Sequence, residues 1–222
     1  MPVQRIPIFP LNVVVFPGMA LPLHIFEPRY QLMTRRCLDG DRTFGVCLIR
    51  SGLEVGASAE PYPVGTTCEI VASEPLGDGR WNLHTVGRRR FRILELFQDE
   101  PYLQADVEFL APETVPEELA DLPERVRAAT EGYVRAILSA NGLAYRDLEL
   151  PQDPLQLSYL VGAVLQGDPR ERQELLEIDE VGARLEREAV LLEQETARVR
   201  ERGRQPLTAR PLQPDPSSVS LN

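Results

Sequence analysis

The chain has 222 residues, 43% of them hydrophobic and 26% charged, with a formal net charge of −10. That length suffices for one substantial buried core or two smaller ones, and the acidity argues against generic binding to nucleic acid or to anionic membranes. All 24 basic residues are arginine; without a lysine there is no P-loop lysine for a phosphate, no Schiff base and no Ser-Lys dyad.

The opening stretch, residues 6–30, is too apolar for a loop and too rich in proline for a helix. Pro7, Pro10, Pro17 and Pro22 each remove a backbone donor, which a helix interior tolerates poorly. Two short strands bent at Pro10 and at Pro17-Gly18 fit better, followed by a helix over about 28–38 that starts on Pro28. The prolines and the lack of a basic segment before a cleavage site argue against a signal peptide. No apolar run approaches the ~20 residues needed to cross a membrane. Cys37, Cys47 and Cys68 are odd in number and widely spaced, and read as reduced core residues of a cytoplasmic protein.

Five further strands are predicted, over 43–50, 67–73, 81–86, 88–97 and 102–109. Gly77-Asp78-Gly79 supplies a tight turn between the second and third of them. Many short strands at close spacing suggest an antiparallel barrel or sandwich. After Pro116 the period becomes helical, with Val126, Ala129, Tyr133, Ala136, Ile137 and Ala140 on one face. Asn141-Gly142 stops that helix. Asp153-Pro154 starts another that runs to about Leu165. Asp168-Pro169-Arg170-Glu171 reads as a capping box, and Asp179 is the expected cap of a last helix reaching about Arg202. In that helix Ile178, Leu185, Leu192 and Val199 recur every seven residues, but Val181, Ala189 and Thr196 make a weak second row. Packing on the preceding helices is expected, with a dimer through the last helix as the alternative.

Residues 1–112 carry a net charge of −2 and residues 113–222 a net of −8. A boundary near Ala111-Pro112 is therefore expected. It gives a strand subdomain over 1–112, a helical subdomain over 113–203 and a disordered proline-rich tail over 204–222.

The search for chemistry yields little. His24 and His84 are the only histidines, and neither has a second His or Cys at metal-ligand spacing. No serine sits in a Gly-x-Ser-x-Gly elbow, and Gly77-Asp78-Gly79 lacks the third glycine of a dinucleotide loop. No catalytic residue, metal or cofactor is expected. The carboxylates are expected on solvated helix faces; Glu180, Arg184 and Glu188 stand at the spacing of helical ion pairs. In Arg88-Arg89-Arg90-Phe91-Arg92, strand alternation puts Arg88, Arg90 and Arg92 on one face. That stripe is either a solvated face paired with acids or a contact for phosphates, and the acidic whole favours the first.

Four stretches carry a family resemblance. The first is Ile6-Pro7-x-Phe9-Pro10-Leu11, with Val15-Phe16-Pro17-Gly18 and Leu21-Pro22-Leu23. The second is Pro63-Val64-Gly65-Thr66-Thr67-Cys68-Glu69-Ile70. The third is Val86-Gly87 through Arg90-Phe91-Arg92-Ile93-Leu94-Glu95, then Pro101-Tyr102-Leu103-Gln104-Ala105. The fourth is Arg172-Gln173-Glu174-Leu175-Leu176-Glu177-Ile178-Asp179, then Arg184-Leu185. In this order the chain resembles the N-terminal domain of Lon-type ATP-dependent proteases over about residues 4–200. His24-Ile25-Phe26-Glu27-Pro28-Arg29-Tyr30 looks most like stand-alone bacterial members.

The resemblance implies an α+β fold: a PUA-like antiparallel β-barrel with one inserted helix, then a helical bundle ending in a long helix. It implies a substrate-recognition domain without the family's ATPase or Ser-Lys peptidase, and so no enzyme. The expected partner is an unfolded or damaged polypeptide, bound through a minority of Phe16, Met19, Leu21, Phe26 and Tyr30 left exposed. The alternatives are an adaptor docking onto a separate ATPase-protease, and RNA binding through Arg88, Arg90 and Arg92.

Overall fold

The structure, a computed structural model, describes residues 3–54, 59–145 and 148–204. Within these the chain is α+β. Strands β1 (Gln4–Leu11) and β2 (Ala20–Ile25) are followed by helix α1 (Pro28–Asp39). Then come β3 (Thr43–Gly52), β4 (Ala59–Pro61), β5 (Val64–Pro75), β6 (Trp81–Phe97) and β7 (Leu103–Phe109). Helices α2 (Leu122–Ala140), α3 (Pro154–Val164), α4 (Pro169–Glu177) and α5 (Val181–Arg204) complete the order. The expected tail, from residue 205 on, lies outside the described residues.

The strands run in the order β1-β7-β6-β5-β3-β4, with β2 on β6, and β1 pairs with β3 as well as with β7. The path that leaves β1 through β7, β6 and β5 therefore returns to it at β3. The β1–β3 ladder is parallel, with Ile8 opposite Gly45 and Leu11 opposite Leu48, where the sequence suggested antiparallel pairing throughout. A parallel neighbour needs a long connection, and residues 12–42, carrying β2 and α1, provide it. The same ladders explain the prolines of β1. Pro7 lies where the strand pairs with β7, and Pro10 where it pairs with β3. Each has one unpaired side, on which a missing N–H costs nothing.

Residues 81–97 form one strand, not the two expected on either side of Gly87. Gly87 stays in register opposite Cys68. A Cβ there would stand 2.4 Å from the Phe16 carbonyl oxygen, so the glycine admits a neighbouring backbone and does not end the strand. The strand is irregular at two other places. Cys68 faces Gly87 and Thr66 faces Arg90, so Arg88 and Arg89 together oppose Thr67. Further on, Leu94 is the extra residue between the Ile93–Val107 and Glu95–Asp106 pairs. Both are β-bulges, which twist a strand and redirect its side chains.

Phe9, Ile25, Tyr30, Met33, Phe44, Ile70 and Leu83 fill the interior between the strands and α1. Helices α2, α3, α4 and α5 pack around Tyr133, Leu157, Val161, Leu175, Leu185 and Leu192, and Val14, Phe16, Leu48 and Val64 from the strand region enter that same cluster. The seven-residue row of the last helix is thus spent largely on the protein's own core. The Asp153 carboxylate accepts from the Gln156 N–H at 2.8 Å, and Asp168 from the Arg170 N–H at 2.8 Å. The cap of α5 is Glu180, not Asp179: its two carboxylate oxygens accept from the N–H groups of Gly182 and Ala183 at 2.8 and 2.6 Å. Asp179 is engaged by Arg90 instead.

Candidate functional site

The apolar opening stretch turns tightly where it meets β6. The Met19 N–H donates to the Phe16 carbonyl at 3.0 Å, and Gly18 takes φ +82° between Pro17 and Met19. Proline second and a positive-φ glycine third are what a type II turn demands. The Gly18 N–H reaches the Gly87 carbonyl at 2.8 Å, and the Gly87 N–H returns to the Met19 carbonyl at 2.9 Å. The turn is held on β6 from both sides.

Helix α3 lies against this turn. A Cβ on Gly162 would stand 2.4 Å from Phe16 Cζ, so the ring lies directly on the helix backbone. Arg172 fastens the contact, donating to the carbonyls of Gly162 and Val14, each at 3.1 Å. Between turn and helix runs a groove of about 380 Å³ lined by Pro17, Gly18, Met19, Gln156, Tyr159, Leu160 and Ala163. On the other side of Pro17 and Tyr159 is a smaller pocket of about 220 Å³, bounded by Arg88, Arg89, Leu110, Pro112 and Glu113.

Beneath both cavities lies a buried charge network. The Tyr159 hydroxyl donates to Glu113. The Arg90 Nε pairs with the same carboxylate at 2.7 Å, with side chains only 2% and 8% exposed. Arg90 also donates to the carbonyls of Leu176 and Ile178, at 2.7 and 3.1 Å, and to Asp179 at 2.9 Å. Arg184 lies over the Tyr159 ring, 4.7 Å from its centroid. Its Nε donates to the Ser158 hydroxyl at 2.6 Å, and that hydroxyl donates to Glu188 at 2.8 Å. Arg184 and Glu188 are fully buried, which corrects the expectation of a solvated face. Burial pushes the Glu188 carboxyl well above its ordinary range, against the lowering effect of Ser158 and Arg184. Burial also lowers the Arg184 guanidinium.

The sequence-derived candidates separate accordingly. Phe16, Leu21 and Tyr30 are buried: Phe16 under α3, the other two in the strand core. Phe26 is 49% exposed but does not line the groove. Of the five, only Met19, half-buried, lines it. The arginine stripe also breaks up, because the bulge opposite Thr67 ends the alternation. Arg90 is buried against the helices and Phe91 is buried with Ile8 and Val107, while Arg88, Arg89 and Arg92 are exposed. Arg88 pairs with Glu69 at 2.7 Å. Tyr159, Leu160, Arg89 and Glu113 were not anticipated. Only the Phe16-Pro17-Gly18-Met19 turn signal could have found the groove's near wall; its far wall is set by docking of α3.

Two solved structures share the fold. The crystal structure of a Lon N-terminal domain protein from Xanthomonas campestris matches with a TM-score of 0.60 at 25% identity, over 82% of this chain and 95% of that one. The N-terminal domain of the Mycobacterium avium complex Lon protease matches with a TM-score of 0.64 at 17% identity, over 86% and 98%. The architecture is thus that of Lon N-terminal domains. Residues 5–194 match the family described as the ATP-dependent protease La (LON) substrate-binding domain, and the chain belongs to that family. Among curated relatives, the Lon protease of Cytophaga hutchinsonii is 30% identical over 189 residues, 79% of this chain. The Lon protease of Anaeromyxobacter dehalogenans is 28% identical over 184 residues, 81% of this chain. The chain spans 22% of the length of each.

Proposed function

We propose that this chain is a non-catalytic module that binds unfolded or damaged polypeptides in a proteolytic quality-control setting in the cytoplasm. The match of residues 5–194 to a substrate-binding domain carries the reading. In this reading residues 1–112 form a PUA-like barrel and residues 113–203 a helical subdomain docked on it. The polypeptide lies in the groove between Met19 and Leu160, where methionine adapts to varied apolar side chains and concavity excludes water.

The test is fluorescence anisotropy of a labelled, permanently unfolded polypeptide at low and high salt. Saturable binding that survives salt is expected, since apolar contact is not screened. Met19→Asp is expected to weaken it by about tenfold or more with the melting temperature unchanged. Loss of binding with unfolding would return Met19 to the core, and no binding at all would refute the reading.

A second reading, an adaptor for a separate ATPase-protease, draws on a different surface. A cavity of about 700 Å³ lies between residues 116–122 and α5, with Glu118, Asp121, Glu186 and Glu193 around Leu119 and Val190. It predicts one stoichiometric partner whose binding ignores Met19→Asp and weakens in Val190→Asp.

A further inference from the structure

The apolar groove and the basic pocket beside it share two walls, Pro17 and Tyr159. We infer that the polypeptide bound in the groove is read for an acidic side chain next to its apolar anchor, by Arg89. The inference rests on the groove being the polypeptide site and adds the chemistry that site selects.

The bulge is the first observation. Arg88 and Arg89 together oppose Thr67, whose hydroxyl both accepts from the Arg89 N–H and donates to the Arg89 carbonyl, each at 3.2 Å. A side chain thus fixes the irregularity, and bulges of this kind re-aim residues beside binding sites. Regular alternation would place Arg89 on the face opposite Arg88 and Arg90; with the bulge, Arg88 and Arg89 are both exposed and line the pocket together with Arg90.

The charges are the second observation. Arg88 is committed to Glu69 and Arg90 to Glu113 and Asp179. Arg89 has no carboxylate partner among the described residues; its guanidinium lies 4.0 Å from the centroid of the Phe109 ring. Stacking orients the guanidinium plane while leaving its edge donors available, the arrangement suited to a bidentate carboxylate. On a protein of net charge −10, an uncompensated cation beside an apolar groove is complementary to an apolar segment bearing an acid. Leu110, Ala111 and Pro112 line the same pocket. The occupant inferred is a segment with an internal Asp or Glu, and the third peptide below tests a chain end against it.

The experiment uses three labelled peptides on the full chain. One is apolar and neutral with both ends blocked. The second is the same with one Glu after the apolar residues. The third is the neutral peptide with a free C-terminal carboxylate. The Glu peptide is expected to bind about tenfold tighter than the neutral one at low salt, and to lose that advantage at high salt. Arg89→Gln should abolish the advantage and leave neutral-peptide affinity unchanged; Arg89→Lys should retain part of it. Equal binding of the first two peptides, or equal weakening of both by Arg89→Gln, overturns the inference while leaving the groove intact, provided Met19→Asp still weakens neutral-peptide binding. An advantage confined to the third peptide overturns it in favour of a chain end. If no peptide binds, the groove reading and this inference fall together.

Discussion

Residues that look alike in the sequence occupy opposite environments here. Glu180, Arg184 and Glu188 stand four apart on one helix, yet Glu180 caps α5 while Arg184 and Glu188 are sealed beneath α3. Helical spacing places them on one face; it does not say that another helix covers that face. Burial raises the Glu188 carboxyl well above its ordinary value of 4.5. The native state therefore holds this proton at pH values where the unfolded chain has released it, and Glu188 costs stability as pH rises above 4.5. Glu188→Gln keeps a side chain able to bond Ser158 and removes that cost. Its melting temperature should equal that of the wild type near pH 4.5 and exceed it by a margin that grows towards about pH 8. A difference independent of pH would refute the assignment. The thiols were legible from composition alone: Cys37, Cys47 and Cys68 are all buried, and burial pushes Cys37 and Cys68 up to about 12.

Element positions were legible where local chemistry marks them. Proline at the first turn of α1, α3 and α4 and the Asp caps at 153 and 168 gave the helix starts. Gly79, at φ +86°, gave the β5–β6 turn. Register was not legible, because a bulge shifts every later side chain by one position without a marker in the sequence. Thr67 fixes the Arg88–Arg89 bulge through the fold, 22 residues away. Helix α3 offers a test at this scale. Gly162→Ala gains about 1 kcal/mol of helix propensity but drives a Cβ to 2.4 Å from Phe16, a ring with no exposed surface. Overpacking costs about 1–3 kcal/mol, so urea denaturation should show a net loss of up to about 2 kcal/mol. Phe16→Leu in the same chain should recover part of it. A stabilised Gly162→Ala would show that α3 moves freely away from the turn.

For the whole molecule, the strand region and the helices are joined by polar bonds as well as by shared core. Gln173 donates to the Val64 carbonyl at 3.0 Å, Arg172 reaches Val14, and Arg90 reaches Leu176, Ile178 and Asp179. The single tryptophan, Trp81, lies on β6 and reports on the strands, while circular dichroism at 222 nm reports on the helices. In the wild type the two thermal transitions should coincide. Arg90→Ala strips Glu113 of its nearest cation and takes the side-chain donor from the Leu176 carbonyl, while Ile178 keeps Arg184. A loss of about 3–5 kcal/mol is expected, with the helical transition moving below that of Trp81. Coincident transitions in the variant would mean that the apolar contact alone couples the parts. The pairing of β1 has another consequence, in time. Gln4 to Ile8 hydrogen-bond to residues 103–107, so this first strand must wait for a partner made a hundred residues later. At ribosomal speeds of about 5–20 residues per second the delay is roughly 5–20 seconds, during which the Val13-Val14-Val15-Phe16 run emerges with neither the late strand nor α3 to cover it. A chain of a substrate-binding family thus passes through an exposed, unpaired state of its own before it can fold.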